Sequence, residues 1–195
     1  MSGHVGLLDQ DLLVLQQIRS GFSAEFDILD DRERVVGTVG GTEGGARRFF
    51  LGPREFDVLD ADGRRLAHVS DVRDFWRDTY EIVRGDGSML ATVTRKMGFF
   101  SRRFSIALST GEEFMVEGDF LSREFDVVDA NGGGVVAQAS RERAGFAKAL
   151  FGHDRYALYY PAGTSPDRRL AILGGMIALD LMRAKDSDSA TNNNT

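Results

Sequence analysis

Apolar and polar residues alternate with a period of two along most of this chain, and Gly, Asn and Asp turns break the alternation at intervals. Ser23–Asp30 runs over charged residues into Val35–Val39, Arg54–Asp60 passes Ala61-Asp62-Gly63 into Leu66–Val69, and Thr79–Val83 passes Gly85-Asp86-Gly87 into Met89–Val93. Arg103–Leu108 passes Thr110-Gly111 into Phe114–Val116, Arg123–Asp129 passes Asn131-Gly132 into Val135–Ala137, and Arg155–Tyr160 opens a sixth unit at Pro161-Ala162-Gly163. Period two on both sides of such a turn is the signature of a β-hairpin. Each unit opens with an aromatic residue (Phe26, Phe56, Tyr80, Phe104, Phe125, Tyr156) and carries Ile, Val or Leu two places on, so both face one side, the core. Spacings of 30, 24, 24, 21 and 31 residues between the aromatics are too uneven for propeller blades or a solenoid. Asp11–Gln17 adds an N-terminal strand, and an open sheet of about twelve strands curls, splits or closes.

The pattern changes once. Leu170 to Leu179 contains no charge, and only Asp180 interrupts the apolar run before Met182. A helix here is apolar all round and belongs inside protein or lipid. A bilayer span needs ~20 apolar residues, so this shorter run is expected to be a core helix over 168–183. A closed barrel of about twelve strands has room for one helix ~10–12 Å across. The expected fold is therefore mainly β: a closed antiparallel barrel of about twelve strands, built from six hairpins, enclosing a hydrophobic C-terminal α-helix. Leu170, Ile172, Leu173, Met176, Ile177 and Leu179 are its core residues, and Gly174 and Gly175 mark close approach to the barrel wall. Asp180 is expected to pair with an arginine or backbone donors, or to sit at the barrel exit. Residues 1–184 then form one domain, and the polar tail 185–195 is expected to be disordered.

Composition removes several function classes. The net charge of −6 argues against non-specific nucleic-acid binding. The absence of cysteine excludes disulfides, a thiolate nucleophile and thiolate metal sites. The N-terminus lacks the basic and apolar regions of a signal peptide. His4, His68 and His153 are scattered, with no metal-ligand spacing, and His68, between Ala67 and Val69, is expected to be structural. Neither a phosphate-binding glycine loop nor a nucleophile elbow is present. Asp60-Ala61-Asp62-Gly63 reads as a self-capping turn, not a calcium loop. No enzyme activity, cofactor or metal is expected.

Charge sorts by position. The five hairpin tips 30–34, 60–65, 85–88, 109–113 and 129–134 sum to −5, whereas the connections 46–51, 95–103 and 141–151 carry +2, +4 and +2. Each of those connections also holds two Phe residues. Cations interleaved with aromatics suit an anionic lipid surface. The candidate lipid-contact residues are Arg95, Lys96, Phe99, Phe100, Arg102 and Arg103, with Arg47 and Arg48 beside them. Trp76, the sole tryptophan, is expected at a core or rim position.

Leu7–Gln17 resembles the opening segment of the phospholipid scramblases, and Phe56–Gly63 and Phe125–Asp129 resemble their repeated strand–turn units. Gly145-Phe146, Tyr156–Pro161 and Leu173–Asp180 match the end of that domain in order and approximate spacing. On residues 7–183 the chain is identified as a prokaryotic-type member of the scramblase / LURP-one-related group, which is similar to the C-terminal barrel of tubby proteins. The resemblance implies a phospholipid-associated protein, cytoplasmic or peripheral at the inner face of the plasma membrane. In animal scramblases an acidic loop matching Gly152–Gly163 is held to bind calcium. Asp154 alone remains of its acidic positions here, far short of the ~six to eight oxygen ligands calcium takes, so no calcium site is expected. The expected activity is binding of anionic lipid or a contribution to scrambling; the alternative is a soluble module that binds a protein or small ligand.

Overall fold

The computed structural model describes residues 6–20, 23–41, 55–72, 78–97, 102–119, 124–140 and 155–192. A 3₁₀ turn, Leu7–Asp9, precedes β1 (Leu12–Ser20), β2 (Ser23–Leu29), β3 (Val35–Gly41), β4 (Glu55–Asp60), β5 (Arg65–Val72) and β6 (Thr79–Arg84). Then follow β7 (Met89–Met97), β8 (Arg102–Leu108), β9 (Glu113–Asp119), β10 (Glu124–Asp129), β11 (Val135–Ser140), β12 (Arg155–Tyr159) and α1 (Pro166–Asn192). Consecutive strands pair antiparallel and β12 pairs with β1, so the sheet is a closed barrel of twelve strands. The alternation in the sequence anticipates this architecture.

The sixth unit departs from the expected six hairpins. β12 has no following strand; its other neighbour is β1, from Leu12↔Tyr159 to Gln16↔Arg155. Five hairpins are thus closed by the first and last strands. Pro161 has no N–H for a ladder, and the chain turns instead into the helix.

Four of the five tips share one geometry, in which the N–H of the fourth residue donates to the carbonyl of the first, and the fifth, from Asp129 to Gly133, is one residue longer. Gly63, Gly87, Gly111 and Gly133 have φ of 78°, 88°, 92° and 65°, and Glu33 holds the same place at 59°. The Asp30 carboxylate accepts the backbone N–H groups of Arg32 and Arg34 and the Arg34 Nε at 2.7–2.9 Å. Asp60 treats Asp62 and Arg64 alike at 2.9–3.1 Å. Beyond the tip, Val36, Leu66, Leu90 and Val136 are skipped by the ladders as one-residue bulges. Val36 and Leu90 are buried, so the bulge adds an apolar side chain at the barrel end.

All six aromatics are buried and face α1. Ser165 Oγ accepts the Arg168 N–H at 3.4 Å and Pro166 occupies the first helical position, so α1 begins two residues before the expected 168. It continues to Asn192, past the expected 183 and through most of the tail expected to be disordered. No Gly or Pro follows Gly175 before Asn192, so an established helix meets no breaker. Because β12 ends at the tips, α1 enters the barrel at the tip end and leaves at the end where the hairpins are joined to one another.

Candidate functional site

The eight residues assigned to the core helix all lie inside the barrel: Leu170, Ile172, Leu173, Gly174, Gly175, Met176, Ile177 and Leu179 are buried. A Cβ on Gly174 would stand 2.8 Å from Ile82 Cδ1, and one on Gly175 2.5 Å from Ile106 Cδ1. The glycines therefore let the helix axis approach β6 and β8. Asp180 is only partly buried, and the Tyr156 hydroxyl donates to its carboxylate at 3.3 Å.

The basic candidates divide. Arg47, Arg48, Phe99 and Phe100 lie outside the described residues, as do Trp76, Asp154 and the connection 141–151. Arg95 and Lys96 belong to β7, and Arg102 and Arg103 to β8, so the hairpin extends into what the sequence reading takes as a nine-residue loop, 95–103. The register sets Arg95 opposite Phe104, Lys96 opposite Arg103 and Met97 opposite Arg102. Arg95 shares the inward face with Phe104. Its side chain is 13% exposed, bonds the Asp78 carboxylate at 3.1 Å and lies 5.9 Å from the Phe104 ring centroid. Its charge is thus met inside the barrel mouth. Lys96 and Arg103 occupy facing register positions at the end of the β7–β8 pair.

The tip end carries a set of contacts that the sequence reading missed. Three consecutive residues at the start of α1 each bind a different element. Asp167 takes Arg84 Nη2 at 2.9 Å, and Arg168 grips both Glu112 carboxylate oxygens at 2.9 Å. Arg169 donates to Thr164 O at 2.9 Å, to Gln10 O, and to Asp11 Oδ1 at 2.5 Å. The Arg169 guanidinium also lies 5.2 Å from the Tyr160 ring centroid, and the Tyr160 hydroxyl donates to the Arg169 carbonyl at 3.0 Å. Hydrogen bonding to Glu112 raises the Arg168 pKa, and burial pushes the Tyr160 hydroxyl well above its ordinary value. The signal was present: two arginines in the first turn oppose the helix dipole, so they require carboxylate partners.

On the outer wall the residue after the aromatic is acidic and part-buried in four units, Asp27, Asp57, Glu81 and Asp126, whereas the corresponding Ser105 and Ala157 are buried. His68 Nδ1 bonds Asp57 at 2.8 Å across β4–β5, and Gln138 donates to Asp126 at 2.8 Å across β10–β11. His68 thus sits in β5 with its ring held by a carboxylate on the neighbouring strand. Glu117, Gly118, Glu124, Asp126, Gln138 and Ser140 line a shallow depression of about 420 Å³ on β9–β11. Among the described residues no group of three His, Asp or Glu side chains has metal-binding geometry, and no helix is long and apolar enough to cross a membrane.

A closed barrel of twelve antiparallel strands with its own C-terminal helix along the axis defines the class, a mainly β barrel filled by a helix. Residues 10–173 match the LURP-one-related family, and the chain belongs to that family. The fold is similar to the X-ray structure of a protein from Arabidopsis thaliana: TM-score 0.60 and 19% identity, over 88% of this chain and 91% of that one. No curated protein matches the sequence.

Proposed function

We propose that this barrel is a non-enzymatic protein that binds anionic phospholipid surfaces through the β7–β8 end, at the cytoplasmic face of a membrane. The observation that carries the reading is the register: Lys96 stands opposite Arg103, with Arg102 beside it. Three cations gathered at one strand end attract an anionic headgroup surface. Binding is proposed and not scrambling. Lipid movement through the barrel would require α1 to leave, and the close packing of Gly174 and Gly175 against Ile82 and Ile106 opposes that. Co-sedimentation with phosphatidylserine-containing vesicles at low salt tests the reading. Binding should fall on the order of a hundredfold in the Lys96→Gln/Arg102→Gln/Arg103→Gln triple variant, from the loss of ~1 kcal/mol per cation. Undiminished binding by that variant, or none by the wild type, overturns it.

A second reading, a soluble ligand-binding module, is favoured by the polar depression on β9–β11. Wild-type protein that ignores vesicles would favour that reading.

A further inference from the structure

Asn131 and Gly132 form the one Asn-Gly pair in the chain; the remaining asparagines, Asn192, Asn193 and Asn194, precede Asn or Thr. The pair sits in the β10–β11 tip, whose extra residue changes which nitrogen closes the turn. In three of the shorter tips the glycine after Asp62, Asp86 or Thr110 is itself the closing donor. Gly63, Gly87 and Gly111 give their N–H groups to the carbonyls of Asp60, Arg84 and Leu108 at 2.9–3.0 Å. In the longer tip Gly133 closes the turn on the Asp129 carbonyl at 2.8 Å. The nitrogen that follows Asn131 is left outside that bond, with one long contact to Asp129 Oδ1 at 3.3 Å. Residues 130–135 are exposed, and a Cβ at Gly132 would meet nothing within 4 Å. Among the described residues the Asn131 side chain has no hydrogen-bond partner; its backbone N–H donates to Asp129 Oδ1 at 2.8 Å.

We infer that Asn131 is a site of spontaneous covalent modification in the folded protein, losing its side-chain amide to become aspartate and isoaspartate. Hydroxide removes the Gly132 N–H proton, and the nitrogen attacks Cγ of Asn131. A C–N bond forms, the bond to the side-chain nitrogen breaks, and ammonia leaves. Water then opens the cyclic imide. Attack at Cγ restores the normal backbone with aspartate, and attack at the Asn131 main-chain carbonyl leaves isoaspartate, whose backbone runs through the side chain. Glycine permits the closure because no Cβ shields its nitrogen or narrows its φ and ψ. The Asp-Gly pairs of the shorter tips are chemically similar but held back, since their glycine N–H groups are committed to the turn. The Ser88 N–H and hydroxyl also hold the Asp86 carboxyl below the usual carboxylate range, ionised and a poor target for a nucleophile. Each conversion at 131 adds a negative charge, and isoaspartate adds a methylene inside the ring that Gly133 closes.

The test incubates the full-length protein in mildly alkaline buffer, folded or unfolded in guanidinium chloride, and samples it over days by peptide mapping that separates aspartate from isoaspartate. Both products should accumulate at 131 in the folded protein, at a rate within several-fold of the unfolded chain, while Asp62 and Asp86 in the folded protein stay unchanged. Gly132→Ala, whose added Cβ meets open space, should fold as the wild type does and slow the conversion several-fold. Asparagine retained at 131 in the folded protein overturns the inference, whether or not the unfolded chain converts. So does conversion to aspartate alone, the product of direct hydrolysis, or equal conversion in Gly132→Ala.

Discussion

Arg169 and Asp11 lie 158 residues apart in sequence and 2.5 Å apart in space. Their ion pair joins the segment before β1 to the start of α1, beside the seam where β1 meets β12. Arg169 is 7% exposed and Asp11 54%, so the two ends of the pair are not equivalent. Arg169→Ala strands the Gln10 and Thr164 carbonyls and should destabilise by about 3 kcal/mol. In a chain of this size that lowers Tm by roughly 6–12 °C. Asp11→Asn should cost under ~1 kcal/mol. Thermal melts of both variants check the asymmetry, and equal losses would contradict it.

The contact between Gly175 and Ile106 makes a second test. Gly175→Ala places a methyl group 2.5 Å from Ile106 Cδ1 and should cost about 1–3 kcal/mol through overpacking. Ile106→Val alone should cost ~1 kcal/mol. Combined, the two should cost less than their sum, which chemical denaturation of the four proteins measures. Gly174→Leu should abolish folding, since Ile82 leaves no room for the larger side chain.

Glu33 is the non-glycine residue at a tip position held by glycine in the other four hairpins, with φ of 59°. Glu33→Gly should stabilise by roughly 0.5–1 kcal/mol through relief of the left-handed backbone. The lost contact with Arg155, at 3.5 Å and largely exposed on the Glu33 side, subtracts little. A rise in the denaturation midpoint is the expected result.

Acid should unfold the barrel from its tips. Burial raises the Asp30 pKa, but the backbone N–H groups of Arg34 and Arg32 and the Arg34 guanidinium outweigh it and hold the carboxyl below its ordinary 3.8. Asp60 is lowered in the same way by Arg64 and Asp62. A carboxylate with a depressed folded pKa gives stability that is fully present above the unfolded value and lost as pH falls through the folded one. Stability should therefore be flat in this respect above about pH 4 and drop below it. Asp30→Asn/Asp60→Asn should lower stability at neutral pH and flatten the acid limb, read from denaturation midpoints between pH 2 and 7.

The fold was legible because one local rule repeats. Aromatic residues such as Phe56 and Phe125 with an aliphatic two places on, an Asp-anchored turn and a returning alternation identify hairpins without long-range information. The uncharged run from Leu170 to Leu179 identifies what the barrel encloses. Closure was harder to see, because the partner of Tyr156 is Leu15 and no local signal links residues so distant. The start of α1 was readable in Ser165-Pro166-Asp167, yet the arginines after it draw attention to the apolar run and away from the cap. The β7–β8 end was only half legible. Alternation in Arg95–Arg103 is masked by consecutive charges, so strand residues pass for a loop, and which arginine faces inward depends on the pairing of Arg95 with Phe104.

The closure of β1 on β12 also sets an order of events during synthesis. The barrel gains its last wall strand only after Tyr159, and the helix that fills it only after Met182. Five hairpins therefore emerge from the ribosome with inward faces such as Phe26, Phe56 and Tyr80 waiting for a filling that is made last. Hairpins form locally in microseconds, but a seam between distant strands pays for loop closure first. Emergence of α1, more than the folding of any one hairpin, is then the step at which the strands become a filled barrel.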